Sequence, residues 1–155
     1  MPAAAIALPF TNRAYVALAI ARGIAAGRGN DDVTPTHIGL GILREGENMA
    51  VATLHDGGAN LRRLRHDLEE ALPPHGHPRY GEVVLPATEG EQQIVELAVA
   101  EAGALDNEYV GAEHLLLGLL RDTESTAART FARYGFTYDA ARGHLDAFLR
   151  KTREG

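Results

Sequence analysis

The sequence of 155 residues contains no cysteine and no tryptophan, and aromatic residues make up only 6% of it. Without cysteine the chain can form neither a disulfide scaffold nor a zinc–thiolate site, and it has no cysteine nucleophile. Hydrophobic residues amount to 45% and charged residues to 23%, which is usual for a globular protein. Alanine and leucine dominate the apolar residues while β-branched runs are few, and this favours helices over sheets.

Basic clusters and long apolar segments are also scarce. The formal net charge is -6, and the nearest approach to a basic patch, at Arg62, Arg63 and Arg65, is typical of a solvated helix face. We therefore expect no nucleic-acid partner. The first nine residues are apolar, but they lack a basic segment and are interrupted by Pro9, which makes them too short for a signal peptide or a membrane span. We expect a soluble, cytoplasmic protein with no membrane partner, for which Met1 favours a natural start.

Motifs for catalysis and metal binding are missing as well. Ser125, the single serine, lies outside any Gly-x-Ser-x-Gly pattern and fits a helix N-cap instead. The acidic pairs at 31–32 and 69–70 are typical of a surface. His75 and His77 have no acidic or cysteine ligand nearby and make a poor metal site. We predict no catalytic residue, no metal site, no cofactor and no enzymatic activity.

Internal duplication is the most informative feature of the sequence. Residues 36–44 (THIGLGILR) are matched by residues 113–121 (EHLLLGLLR), so that His37 aligns with His114 at an offset of 77 residues (114 − 37). The same offset gives further identities without a gap: Ala21 with Ala98, Asn30 with Asn107, Val33 with Val110, Glu47 with Glu124, Gly58 with Gly135 and Leu72 with Leu149. Each half is therefore one structural unit, and the two should pack with approximate internal symmetry.

Each unit is predicted to contain four helices. Apolar periodicity and turn residues place them at about 11–28, 34–44, 48–55 and 60–72, and again at 88–105, 111–122, 125–134 and 138–150. Thr34 is expected to cap the second helix, with Pro35 at its first position. The predicted fold is all-α: two pseudo-symmetric four-helix repeats, about eight helices, packed as one domain.

The domain boundaries follow from the repeat and from the positions of the predicted helices. Repeat 1 covers 10–72 and repeat 2 covers 87–150, and they are separated by a proline- and glycine-rich connector at 73–86 that cannot continue a helix. A flexible tail is expected at 1–9 and a second tail at 151–155. Within the connector, residues 82–85 are a candidate for a short extended piece.

Two pairs of repeated residues have a structural explanation. His37 and His114 lie near the starts of equivalent helices, where either a pH sensor or a buried, hydrogen-bonded histidine is conceivable, and their repetition favours the second. Gly41 and Gly118 lie inside apolar helices at a cost of roughly 1 kcal/mol each relative to alanine. A close helix–helix crossing would explain both glycines.

Residues 110–121, Val-Gly-Ala-Glu-His-Leu-Leu-Leu-Gly-Leu-Leu-Arg, together with Phe10-Thr11 and the matching segment at 33–47, resemble the Clp N-terminal repeat family over about residues 10–150. The resemblance implies the all-helical domain that precedes the ATPase rings of ClpC- and ClpA-type unfoldases and receives substrates and adaptor proteins. The present sequence has no Gly-x-x-x-x-Gly-Lys-Ser/Thr phosphate loop, so it contains no ATPase module of that type.

The resemblance also implies candidate binding residues. In the ClpC-like branch the Thr-Glu of this motif contributes to pockets for phosphorylated arginine, where a carboxylate suits the guanidinium, and helix-start N–H groups with nearby bases suit the phosphate. Here Ala112 precedes Glu113, Pro35-Thr36 replaces Thr-Glu in repeat 1, and residues 88–93 carry no base. We expect one pocket lost and the other weakened, with candidate residues Glu113, Ala112, Thr36, Pro35 and Phe10. Glu113 has a second explanation, since an acid in a first turn stabilises the helix dipole.

Three functions are considered for this sequence. The first is a non-catalytic protein-binding module, expected to be a monomer, whose partners are substrate or adaptor proteins or Clp ATPase and protease subunits. The alternative is a free-standing decoy or regulator that sequesters phosphoarginine-marked clients or cyclic-peptide antibiotics from the full-length unfoldase. A small enzyme is the third, and no residue pattern favours it.

Overall fold

The structure, a computed structural model, describes residues 8–78 and 88–154, and these residues form eight α-helices. The helices are α1 Asn12–Gly27, α2 Pro35–Glu45, α3 Met49–Asp56, α4 Leu61–Glu70, α5 Glu89–Ala104, α6 Ala112–Leu120, α7 Thr126–Ala132 and α8 Tyr138–Glu154. Within the described residues, β-pairing is limited to one parallel bridge between Phe10 and Val110. The predicted all-α fold of two four-helix repeats is confirmed.

Short polar side chains cap the starts of six helices, α1 to α5 and α7. Thr34 caps α2 with Pro35 at the first position, and the Ser125 hydroxyl accepts from the Ala128 N–H at 3.1 Å at the start of α7, both as predicted. The end of α8 differs from the expectation of a tail after residue 150, because the helix continues to Glu154. Residues 151–154 contain neither glycine nor proline, so nothing local ends the helix at residue 150.

The connector after repeat 1 is held against the end of α1 in its described part, residues 73–78. Gly76 donates its N–H to the Arg28 carbonyl at 2.7 Å, and the Asn30 side-chain amide donates to the Pro74 carbonyl at 2.8 Å. His75 and His77 are exposed. The extended piece predicted at 82–85 and the first seven residues of the predicted N-terminal tail lie outside the described residues.

Helices α2 and α6 form the centre of the domain. Every residue of α6 is buried, as is the stretch of α2 from Thr36 to Ile42. A helix that is apolar on all sides must be covered on all sides. The outer helices of both repeats supply that cover, and the buried side chains of the two halves merge into one hydrophobic cluster.

Glycine allows the central helices to approach their outer partners closely. A Cβ atom on Gly41 of α2 would lie 2.1 Å from the Ala17 carbonyl oxygen of α1. A Cβ on Gly118 of α6 would lie 2.9 Å from the Ile94 carbonyl oxygen of α5. The predicted close crossings are present in both repeats, at positions related by the same offset.

The two repeated histidines are structural, as the repetition predicted. His37 and His114 are both fully buried. The Nδ1 atom of His37 accepts the Thr34 N–H at 2.9 Å, and the Nδ1 atom of His114 accepts the Gly111 N–H at the same distance. Each ring therefore closes the first turn of a central helix, and these contacts require the neutral imidazole.

An ion pair also joins the repeats. The guanidinium of Arg22, in α1, donates two hydrogen bonds of 2.7 Å to the carboxylate of Glu91, in α5. Glu91 is only 1% exposed, so its negative charge is compensated almost entirely by this one bidentate partner.

Candidate functional site

The segments that precede the helices of one repeat form hydrogen bonds with those of the other repeat. Thr11, just before α1, donates its N–H to the Val110 carbonyl at 2.9 Å, and Val110 donates to the Pro9 carbonyl at 2.8 Å. The start of α1 is thereby fixed beside the start of α6, in the other repeat. In the same way the N–H of Val33, ahead of α2, donates to the Thr88 hydroxyl, which caps α5, at 3.2 Å.

A surface groove of about 450 Å³ lies where α1 and α6 begin. We call it the Glu113 groove. Its lining residues come from both repeats: Thr11, Asn12, Arg13, Glu47, Asn48, Met49, Tyr109, Ala112 and Glu113. The first N–H groups of a helix have no partner within that helix, so the start of α1 presents a partial positive charge to this groove.

Glu113 is the most unusual group in the groove. It is only 5% exposed, and the Tyr109 hydroxyl donates to its Oε2 atom at 3.4 Å. Burial raises the pKa of the Glu113 carboxyl, although the hydrogen bonds from its own backbone N–H and from Tyr109 lower it. The carboxylate packs against Gly111, where a Cβ would come within 2.0 Å of its Oε1 atom. Gly111 thus makes room for an acid that is costly to bury.

Arg13, in the first turn of α1, supplies the cation of this groove. Its Nη1 atom donates to Glu45 Oε2 at 2.9 Å and to Glu47 Oε2 at 3.3 Å, and its side chain is 51% exposed. Sequence reasoning missed Arg13 because it searched for a base at the start of α5. The useful signal was Phe10-Thr11, the opening of the helix that carries Arg13.

The equivalent place in repeat 1 has different chemistry. Thr36 is buried and Pro35 occupies the first position of α2. The helix start that faces them is that of α5, whose first turn carries the acids Glu89 and Glu91. Thr36 occupies the position of Glu113, and Gly90 occupies that of Arg13. A Cβ on Gly90 would lie 3.3 Å from an Asp32 carboxylate oxygen, so an acid lies where the Glu113 groove has its base.

Phe10 belongs to a different surface. It lines a groove of about 430 Å³ between α1 and α5, which we call the Phe10 groove, together with Tyr15, Leu18, Arg22, Glu91, Gln92, Val95 and Glu96. Its ring lies 5.7 Å from that of Tyr15, which is 60% exposed. The structure therefore brings Ala112 and Glu113 together with Arg13, and it separates them from Phe10 and from the Pro35–Thr36 pair.

Two further features concern the described residues. They contain no group of three or more histidine and acidic side chains placed to hold a metal ion. None of their helices has both the length and the apolar character needed to span a bilayer.

Comparison with known proteins identifies the family. A family model described as the Clp repeat (R) N-terminal domain matches residues 9–134 and 86–154. The chain is 32% identical over 146 residues to the negative regulator of genetic competence ClpC/MecB of Bacillus subtilis, a match that covers 94% of this chain and 18% of the relative. It is 34% identical over 133 residues to the chaperone protein ClpB of Oceanobacillus iheyensis, covering 86% of this chain and 16% of that one.

Solved structures show the same fold. The N-terminal domain of the chaperone ClpD from Arabidopsis thaliana superposes with a TM-score of 0.66 at 20% identity, covering 91% of this chain and 94% of that one. The Hsp104 N-terminal domain from Candida albicans superposes with a TM-score of 0.70 at 16% identity, covering 88% and 89%. The chain spans less than a fifth of the length of the two curated relatives. By the matched family model and by these sequence relatives, the chain belongs to the Clp repeat N-terminal domain family.

Proposed function

We propose that this domain is a non-catalytic protein-binding module of a Clp-type chaperone–protease system, and that it receives substrate or adaptor proteins. The Glu113 groove is the observation that carries the proposal. It combines a buried carboxylate from repeat 2 with a cation and a helix start from repeat 1. Clp ATPase or protease subunits are the further partners that the family relationship supports.

Phosphorylated arginine is the ligand whose chemistry suits this groove. The guanidinium part would pair with the Glu113 carboxylate, and the phosphate would meet Arg13 and the N–H groups at the start of α1. Two features weaken such a site. Ala112 supplies no hydroxyl, and Glu45 and Glu47 already hold the Arg13 guanidinium, so a phosphate must compete with two carboxylates.

Repeat 1 supports no second site of this kind. Thr36 carries no charge to pair with a guanidinium, and Glu89 at the facing helix start repels a phosphate. We therefore expect one phosphoarginine per chain.

Replacement of Glu113 by glutamine tests the proposal. Titration calorimetry with free phosphoarginine should give one saturable site in the wild type, and E113Q should weaken it by about tenfold or more because a charge-assisted pair is lost. The same variant should melt at a higher temperature at pH 7, since it removes a desolvated charge whose pKa is raised by burial. Because the pKa of Glu113 is raised, the wild type should lose affinity at a higher pH than it would if this carboxyl had the pKa of an ordinary glutamate.

Glu124→Gln is the matched control, since Glu124 is 82% exposed and pairs only with Arg129 among the described residues. Arginine and inorganic phosphate, tested separately, should each bind more weakly than phosphoarginine. A different result would contradict the proposal: unchanged affinity with a lower melting temperature in E113Q would show that Glu113 serves only to stabilise the helix dipole.

The Phe10 groove favours a second candidate, sequestration of ligands such as cyclic-peptide antibiotics. Its apolar side chains, Phe10, Leu18 and Val95, offer contact area for such a ligand together with the exposed ring of Tyr15. The test adds this chain to a ClpC unfoldase treated with such an antibiotic. Recovery of unfoldase activity, reversed by Tyr15→Ala, would support sequestration, whereas no recovery at an excess of the chain would exclude it.

A further inference from the structure

Repeat 1 carries an open trough between α3 and α4 that is distinct from both grooves described above. Its volume is about 410 Å³. The floor is apolar and consists of Leu43, Val51 and Leu61, and the rim consists of Arg62, Arg65, His66 and Glu69. We call this surface the α3–α4 trough. It continues past Val51 and Leu61 into a second hollow of about 380 Å³ that Phe148 of α8 borders.

The rim has an excess of positive charge. Arg65 lies 3.2 Å from Glu69, and Arg44 lies 3.7 Å from the same carboxylate oxygen. Arg62 is exposed and has no ion-pair partner among residues 8–78 and 88–154. Arg65 and Arg44 therefore share one carboxylate, and Arg62 adds a further guanidinium at the edge of the trough, in a chain whose net charge is -6.

The internal repeat provides a comparison within the same molecule. The offset of 77 residues places Tyr138 where repeat 1 has Leu61, and Asp139 where it has Arg62. Tyr138 donates to the buried Glu101 carboxylate at 2.7 and 2.9 Å, and Arg121, the counterpart of Arg44, lies over its ring at 5.0 Å.

The floor of the trough differs between the repeats as well. Leu120 and Ala128, the counterparts of Leu43 and Val51, are only 1% and 5% exposed, whereas Leu43 and Val51 are partly exposed. In this domain the face is therefore covered in repeat 2 and open, with a basic rim, in repeat 1. Packing of the fold alone does not require the open form.

We propose that the α3–α4 trough docks an acidic protein segment, whose aliphatic side chains pack on the floor and whose carboxylates pair with Arg62 and Arg65. The apolar floor favours a peptide over a polyanion without apolar groups, and Glu69 on the rim, with Glu70 beside it, would repel the evenly spaced phosphates of a nucleic acid. This inference rests on the proposed function only in that both make the domain a protein-binding module. It adds a second partner chemistry, different from that proposed for the Glu113 groove.

Selection from a random peptide library displayed on phage tests this inference. The library is panned on the wild type after depletion on the variant R62E/R65E. Enriched peptides should combine Asp or Glu with Leu, Ile or Val. Their affinity, measured by fluorescence anisotropy, should fall by about tenfold or more in R62E/R65E and should weaken with rising salt.

The control variant R129E/R150E makes the same change of charge at two arginines that are exposed and paired within their own repeat. Binding should survive in this control and in E113Q. The neutral pair R62Q/R65Q, judged by its helical circular dichroism and melting temperature, replaces R62E/R65E if charge reversal impairs folding.

Three outcomes would overturn the inference: enriched peptides without an acidic excess, equal binding by the wild type and by R62E/R65E, or no enrichment over the depleted pool. Peptides that bind R62E/R65E but no longer bind E113Q would occupy the Glu113 groove. That result would reject the trough as their site and support the proposed function.

Discussion

Replacement of Gly41 by alanine should destabilise the domain by about 3 kcal/mol, the range expected for overpacking at a site that cannot relax. The new Cβ would lie 2.1 Å from the Ala17 carbonyl oxygen and 3.2 Å from the Ala21 Cβ. Both are parts of α1 that cannot rotate away, so α1 and α2 must separate. Because α2 lies at the centre of the domain, that separation would disturb packing in both repeats. Equilibrium unfolding in urea measures the change.

Two further glycines give the comparison. Gly118→Ala should cost less than Gly41→Ala, since its Cβ would lie 2.9 Å from the nearest atom, the Ile94 carbonyl oxygen. Gly23, within α1, has nothing within 4 Å of its Cβ position, and Gly23→Ala should stabilise the domain by about 0.5–1 kcal/mol through helix propensity and chain entropy. Equal stability of the Gly41 and Gly23 variants would show that the close crossing is not tight in solution.

The sequence predicted the helices and their packing well because these depend on local and repeated signals. Thr34 and Pro35 mark a helix start by themselves. Gly41 and Gly118 recur at the same offset inside apolar helices, and only a close crossing explains both. The histidines could be assigned a structural role for the same reason, since a ligand site need not occur twice.

The meeting of the two repeats could not be predicted in this way. The offset aligns each residue with its own counterpart, but it does not say that the start of α1 lies beside the start of α6. For that reason Arg13 was missed as the cation opposite Glu113. The Arg22–Glu91 pair was missed too, since its counterparts at the same offset are Val99 and Ala14, which carry no charge.

The open trough on repeat 1 depends on residues that differ between the two repeats rather than on the repeated pattern of helices. Arg62, Arg63 and Arg65 were interpreted as a solvated face because a run of charges on a short helix usually is one. Only the structure shows that Leu43, Val51 and Leu61 leave an apolar floor beside two of these arginines. The corresponding face of repeat 2 is filled by Tyr138, and the difference between an aliphatic and an aromatic residue at one position is too small a signal to predict this from the sequence.

Acidification should remove much of the stability of the domain, and the two buried histidines should account for most of that loss. The Nε2 atom of each ring faces an asparagine Oδ1, that of Asn30 at 2.9 Å for His37 and that of Asn107 at 2.8 Å for His114. Because Nδ1 accepts a backbone N–H, the single proton of the neutral ring lies on Nε2. Protonation of Nδ1 would therefore break its hydrogen bond with the backbone N–H at the start of a central helix.

The pKa of each histidine is lowered from 6.5 to about 4, chiefly by burial, and for His37 the positive charge of Arg28 adds to the effect. Between these two values the unfolded chain binds more protons than the folded one, so stability falls as the pH decreases from about 6.5 towards 4. At pH 4.5 the loss is about 2 to 3 kcal/mol for each histidine. Two such losses are comparable with the whole stability of a small domain.

Urea unfolding at pH 7.5 and pH 4.5 checks this expectation in the wild type and in the variants His37→Gln and His114→Gln. Each variant should be less stable at pH 7.5 and should lose about half as much as the wild type on acidification, because one of the two titrating rings is gone. His66→Gln is the control, since His66 is 68% exposed and should behave as the wild type does. The four proteins contain the same carboxylates, so the difference between them reports on the buried rings. A double variant with both His37→Gln and His114→Gln gives the decisive case. If it lost as much stability on acidification as the wild type, the acid dependence would arise from carboxylates, and the histidines would cap the helices without a role in the pH response.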